Sequence, residues 1–172
     1  QVSGLTVDHV TVIHGLQDGL SVAGSAAPLV TNCTFTDNSR WAVYLDDPDC
    51  MAGGMRGNAA AGNGVNGIRL NGTQDGAATW EDNLPFVIDS VVAVNPGAVL
   101  TITPGRVVKV NQGTNGLYVY GTLNAQGTPT ARIYITSLRD DTVGGDTNGD
   151  GSATAPAAGD WRGLGFLAGS VG

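Results

Sequence analysis

The chain has 172 residues, a net charge of −7 and a charged fraction of only 13 %. That length can enclose one sizeable core, and the acidic balance argues against nucleic acid or anionic lipid as a partner, since both need a basic surface. A single lysine (Lys109), a single glutamate (Glu81) and 27 glycines leave few helix formers, so the composition favours strands joined by Gly, Asn, Asp and Thr turns.

In chain order, a triplet of two apolar residues around a variable one returns about every two dozen residues. The seven cases are Leu20-Ser21-Val22, Val43-Tyr44-Leu45, Ile68-Arg69-Leu70, Phe86-Val87-Ile88, Val108-Lys109-Val110, Ile133-Tyr134-Ile135 and Leu164-Gly165-Phe166. One residue out between two in is the alternation of a half-buried strand. A recurring period is the mark of a solenoid, in which each coil covers its apolar face with the next. Shifts of 23 residues superimpose Val10-Thr11-Val12 on Cys33-Thr34-Phe35, Leu20 on Val43, Val94 on Leu117, Leu100 on Leu123, Ile102 on Ala125 and Val110 on Ile133. The prediction is an all-β parallel β-helix of about seven coils, three short strands to a coil. A sandwich, the competing fold, would place hairpin signals every 8–12 residues.

Three stretches break the period and are expected as loop insertions: 46–64, 73–84 and 140–160. No capping element is evident, and Gly172 read on into Gln1 continues the pattern as one coil. Residues 1–172 are therefore expected to be one unit of a longer stack, either covalent tandem repeats or separate subunits. Leu164 and Phe166 at one end, and Leu5, Val7, Val10 and Val12 at the other, are the predicted assembly interface. No leader and no membrane-spanning run are recognised. Cys33 and Cys50 are read as one disulfide or two free thiols. Asn32-Cys33-Thr34 and Asn71-Gly72-Thr73 match the N-glycosylation pattern, a common one.

The segments from Val99 to Val110, from Leu117 to Thr128 and from Ile133 to Ser137 resemble successive coils of bacterial secreted and cell-surface right-handed β-helix proteins. The Gly-rich run from Gly144 to Gly151, followed by Gly159-Asp160-Trp161, resembles the loop that follows such coils. Val10 to Phe35 is similar to later coils of the same architecture, shared with pectate-lyase-like proteins. The resemblance implies a right-handed solenoid and export. It names no activity, because the fold hosts lyases, hydrolases, adhesins and passive fibres.

The strongest chemical signal is Asp146-Thr147-Asn148-Gly149-Asp150-Gly151-Ser152, the first half of a D-x-N-x-D-G calcium loop. Alternate Asp146, Asn148 and Asp150 oxygens converge when glycine turns the chain, and Ser152 offers its carbonyl. Ala157 stands where an EF-hand has glutamate, so further ligands must come from Asp141, or from Asp140 and Asp160. Calcium is the expected cofactor, with a structural task. Asp46, Asp47 and Asp49 are read as an exposed turn, with a cation site or paired catalytic carboxylates as the sharper alternative. His9 and His14 fall on opposite strand faces and make a poor metal pair. Tyr44, Tyr118, Tyr120 and Tyr134 point outward, for packing or for stacking on sugars. Asn38, Asn58, Asn63, Thr103, Thr122 and Thr128 recur in the turns and are read as stability devices, with stacked amides bonding from coil to coil. Arg69 and Lys109 are read as outward residues too far apart for one small site. No catalytic residue is assigned. The expected function is a structural unit of an extracellular or cell-surface fibre that stacks on copies of itself. The alternatives are a polysaccharide-binding or polysaccharide-cleaving protein and an adhesin stalk.

Overall fold

The computed structural model describes residues 4–171. The first coil runs through β1 (Thr6–Asp8), β2 (Thr11–Ile13) and β3 (Leu20–Val22). Directly on these lie β4 (Leu29–Thr31), β5 (Thr34–Thr36) and β6 (Trp41–Leu45), each parallel to the strand below. A 3-10 turn at Pro48–Gly53 leads into β7 (Met55–Arg56), β8 (Ala59–Ala61) and the first part of β9 (Val65–Gln74), the third coil.

At β9 the cross-section changes. β9 serves two faces, and so does β11 (Phe86–Val94), which follows β10 (Ala77–Trp80). Ile68–Leu70 pairs with Phe86–Ile88, and Gly72–Gln74 pairs with Val92–Val94 across a register shift. β12 (Val99–Ile102) stacks on β10, and β13 (Val107–Val110) on the start of β11. β14 (Gly116–Val119) stacks on the end of β11, β15 (Thr122–Ala125) on β12, and β16 (Tyr134–Ser137) on β13. β17 (Gly163–Phe166) closes the series on β14. The result is a parallel β-solenoid of about six turns.

One column of strands, β3–β6–β9–β11–β13–β16, runs the whole length. Its register places Leu20, Val43, Ile68, Phe86, Val108 and Ile135 in one inward row. Ser21, Tyr44, Arg69, Val87, Lys109 and Thr136 form the outward row. Val43, Ile68, Phe86 and Val108 are fully buried, each contributing about 1.5–3 kcal/mol of transfer free energy. Trp80 stacks on Phe86 at 5.2 Å between ring centroids.

The corners explain the polar residues. His9, Asn32 and Gly57 have positive φ, as do His14, Asp37 and Gly62. The His9 N–H donates to Thr31 O and the Asn32 N–H to Arg56 O. These are left-handed turn positions, which Asn, Asp and Gly tolerate. The two histidines therefore mark two separate corners. Buried Asn63 Oδ1 accepts from the Asn38 N–H at 3.0 Å and from Asn38 Nδ2 at 2.8 Å. Asn58 Oδ1 accepts from the Cys33 N–H at 2.9 Å, and its Nδ2 donates to Asp82. The expected coil-to-coil amide bonds are present at Asn38, Asn58 and Asn63.

Three expectations need correction. Six triplets share the long column, but Leu164-Gly165-Phe166 lies on Leu117–Val119 in a different row. The count of about seven coils falls to about six, because the seven triplets belong to two faces rather than one. The junction itself, from Gly172 to Gln1, lies outside the described residues. Second, turn length varies, so some registers slip: Val94 pairs with Val119 rather than Leu117, and Val110 with Ser137 rather than Ile133. Third, 46–64 and 73–84 are not simple insertions, because β7, β8 and β10 in them are regular rungs. Only 140–160 is a long strand-free loop. Of the two readings of the cysteines, a disulfide or free thiols, the structure shows the second: Cys33 and Cys50 are free and buried. The 3-10 turn carries the Cys50 thiol toward Gly24 O, whereas the Cys33 thiol donates to Thr31 O at 3.1 Å, in another corner.

Candidate metal centre

The loop after β16 does not project into solvent. It folds back along the outer face of the long column, past β13 and β11 to the start of β9. The Asn66 N–H donates to Thr147 O at 2.7 Å, and Thr147 is buried. Gly144 packs against Pro85, Val107 and the Lys109 stem, where any Cβ would stand only 3.2 Å from Pro85 and Val107. Its φ of +71° is a second reason for glycine. Beneath the loop, the outward residues Val87 and Lys109 are both fully buried. Lys109 Nζ donates to Gly145 O at 2.6 Å. Burial pulls the Lys109 pKa down, while the charges of Asp141, Asp140 and Asp146 oppose that shift.

Above this floor the loop draws three carboxylates together. One oxygen each from Asp141, Asp146 and Asp150 lies within 4.8 Å of the other two. Opposed ligands around calcium stand about 4.6–5.2 Å apart, twice the metal–oxygen distance, so this spacing suits a hard divalent cation. The Asp150 N–H donates to Asp146 Oδ1 at 3.1 Å and the Gly151 N–H to Asp146 Oδ2 at 2.9 Å, which fixes the turn. Asn148 Nδ2 donates to Asp150 Oδ2 at 2.8 Å. Thr154 Oγ1 also donates to Asp150, and that bond leads the effects holding the Asp150 carboxyl below its ordinary pKa. Two side-chain oxygens, Asp141 Oδ1 and Asn148 Oδ1, are shielded from solvent and have no hydrogen-bond partner. Desolvation, and then the charges of Asp146 and Asp150, push the Asp141 carboxyl above its ordinary pKa. A carboxylate in that position calls for a cation or a proton.

The remaining expected ligands separate. Asp140 accepts from Thr136 Oγ1 at 2.7 Å and from Thr142, and those bonds hold its pKa down. Asp160 accepts from Ser137 Oγ at 2.7 Å and from the Ala157 N–H at 3.0 Å, closing the loop's return. Both carboxylates are committed to the loop's frame and stand outside the three-carboxylate group. Ser152 is exposed, with φ of +77°.

The other acidic cluster is also bonded. Asp46 accepts from the Gly24 N–H, Asp47 caps the 3-10 turn at Asp49 N, and Asp49 accepts from the Asp75 and Gly76 N–H groups. Asp47 and Asp49 line a cleft with Gly24, Ser25 and Gly76, and burial raises the Asp47 pKa. Arg69 lies over the Tyr44 ring at 4.5 Å and pairs with Asp89 at 2.9 Å. Arg69 and Lys109 lie two rungs apart in one row, with Val87 between them.

At the two ends, the predicted interface residues occupy the last described rungs. Leu5 is 46 % exposed, Val10 41 %, Leu164 37 % and Phe166 58 %. Val7 and Val12 are half-buried against the core. Residues the sequence reading passed over include Leu167 and Val171, also exposed at the same end as Phe166. Lys109, expected as an outward residue, is instead covered by the loop and fully buried. Its identity as the sole lysine at the centre of a strand triplet was the available signal. No family model, curated protein or solved structure matches this chain.

Proposed function

We propose that the chain is a structural segment of an exported, surface-displayed β-solenoid of the pectate-lyase-like kind, which stacks end to end on further copies of itself and is braced by a calcium-bound loop. The observation that carries this reading is the contrast along one row. Val94 and Val119 are fully buried, whereas Phe166, next in that row, is 58 % exposed. A second copy stacked on this rung would cover Phe166, Leu164 and Val171 with apolar side chains from Leu5, Val7, Val10 and Val12. Strands β1, β2 and β3 each stand at the edge of their sheet, as does β16, and their free backbone groups favour addition of a parallel rung.

Calcium suits the same task. A cation bound by Asp141, Asp146 and Asp150, with Asn148 Oδ1 and the Ser152 carbonyl as further oxygens, would neutralise the loop and pin it over three rungs. Tyr44 already sits under Arg69, which favours packing over sugar stacking as its role. Sedimentation velocity and negative-stain microscopy of the purified chain with calcium test the assembly. The expected result is concentration-dependent linear oligomers, lost in Val10→Asp with the monomer's circular dichroism unchanged. A chain that stays monomeric at millimolar concentration, or assembles equally well as Val10→Asp, overturns the reading.

A further inference from the structure

The sole lysine of an acidic chain is fully buried, although a desolvated ammonium is costly. Lys109 stands in the outward row of the long column, between Val87 and Thr136. Its Nζ donates to Gly145 O, the residue next to Asp146, at 2.6 Å. The acidic groups facing it are Asp140, Asp141 and Asp146, all on the loop. None of them stands among the ion pairs within 4 Å found in the described residues, so the ammonium acts on the group through space. The same loop holds the three converging carboxylates and the two buried, unpartnered oxygens, Asp141 Oδ1 and Asn148 Oδ1. Asn148 Oδ1, which belongs to none of the three carboxylates, is the independent sign that the group is short of a cation. The lysine bonds a loop carbonyl from below and leaves both oxygens unsatisfied.

We propose that Lys109 sets the affinity of this site for a divalent cation: its buried ammonium offsets part of the carboxylate charge, holds the loop shut when no cation is bound, and weakens cation binding. The proposal rests on the reading of Asp141, Asp146 and Asp150 as a cation site. A charge fixed beneath the loop repels a doubly charged ion bound to it. The same charge supplies the loop with a resident counter-ion, so the strap need not open when calcium is scarce.

Calorimetric titration of the whole chain with calcium alone tests this, comparing wild type with Lys109→Met, which keeps the stem and removes the charge. The expected result is a dissociation constant lower by roughly tenfold or more in Lys109→Met. Amides of 144–151 should exchange faster than wild type without calcium and equally with it. A wild type that binds calcium and a folded Lys109→Met that binds it equally or more weakly overturn the inference while leaving the site intact. A wild type that binds no calcium overturns the site reading and the inference together. Should Lys109→Met not fold, wild-type protein carrying 13C-lysine gives the answer, because only one residue is labelled. Its ε-methylene resonance should move on calcium addition and saturate with the calorimetric constant, and an unmoved resonance overturns the proposal.

Discussion

Two substitutions in one row separate the interior of the solenoid from its last described rung. Val119 and Phe166 are register partners on β14 and β17. Val119 is fully buried and Phe166 is 58 % exposed. Val119→Asp would place a carboxylate among apolar side chains without a partner, at a cost of several kcal/mol against a total stability of about 5–15 kcal/mol. It should largely unfold the chain. Full burial of a phenylalanine is worth about 1.5–3 kcal/mol, so a ring with less than half its surface covered contributes about 1 kcal/mol. Phe166→Asp should therefore lower Tm by only about 2–4 °C in a chain of this size. The same substitution removes most of what Phe166 would gain in a junction and sets a charge at its centre, so assembly should fail. Thermal melts followed by circular dichroism, with sedimentation velocity on the same samples, measure both effects. The reasoning is refuted if Phe166→Asp destabilises as much as Val119→Asp, or if it assembles like wild type.

Two further outcomes are expected. Calcium at a hundredfold excess over its dissociation constant should stabilise the wild type by about 2.7 kcal/mol, a rise of roughly 5–10 °C in Tm; Asp146→Asn should abolish most of that rise in a thermal-shift assay, and an equal rise in the variant would refute Asp146 as a ligand. The Asp8 carboxyl has its pKa lowered to about 2 by bonds from Thr31, His9 and Asn32. The lowered value means its stabilisation is complete above the ordinary pKa of 3.8 and is lost as pH falls from there through about 2. Urea midpoints of wild type and Asp8→Asn should therefore differ at pH 5 and converge toward pH 2, and a gap that persists at pH 2 would refute this assignment.

The long column was legible because its residues alternate cleanly between apolar and variable, and alternation is a local property. Which column a triplet belongs to is not local. Leu164-Gly165-Phe166 has the same pattern as Ile133-Tyr134-Ile135 but stacks on another face, because the 140–160 loop intervenes. β8 was hidden for a different reason. Ala59-Ala60-Ala61 has no contrast in hydropathy, and only the stacking of Ala60 on Phe35 identifies it as a rung. Asp146, Asn148 and Asp150 could be read from spacing, since their convergence needs only a tight turn. Asp141 could be set ahead of Asp140 and Asp160 as a ligand, but the reason those two stand apart was beyond the sequence. Thr136 and Ser137, on the preceding strand, engage the latter two, and that is settled by how the loop lies. The burial of Lys109 depends on a carbonyl 36 residues downstream.

The loop lies where the solenoid most needs reinforcement. Between β9 and β11 the cross-section is redrawn, and their register shifts between Ile88 and Val92. Inside, the change is filled by Trp80 stacked on Phe86. Outside, Asp89 ties three coils together, accepting from Arg69 Nε at 2.9 Å and from Asn111 Nδ2 at 2.9 Å, while its backbone carbonyl accepts from Asn115. The loop adds a strap over the same level, from Lys109 at its centre to Asn66 at its far edge. A solenoid stabilised only by nearest-neighbour rungs can open at its weakest interface. A strap spanning several rungs couples that interface to its neighbours, so a fibre built from such units would yield at its junctions before it yields within a unit. Single-molecule extension would show this as junction rupture preceding unit unfolding with calcium present. Loss of that order on chelation would identify the loop as the element that sets it, and an order unchanged by chelation would remove the loop from the account.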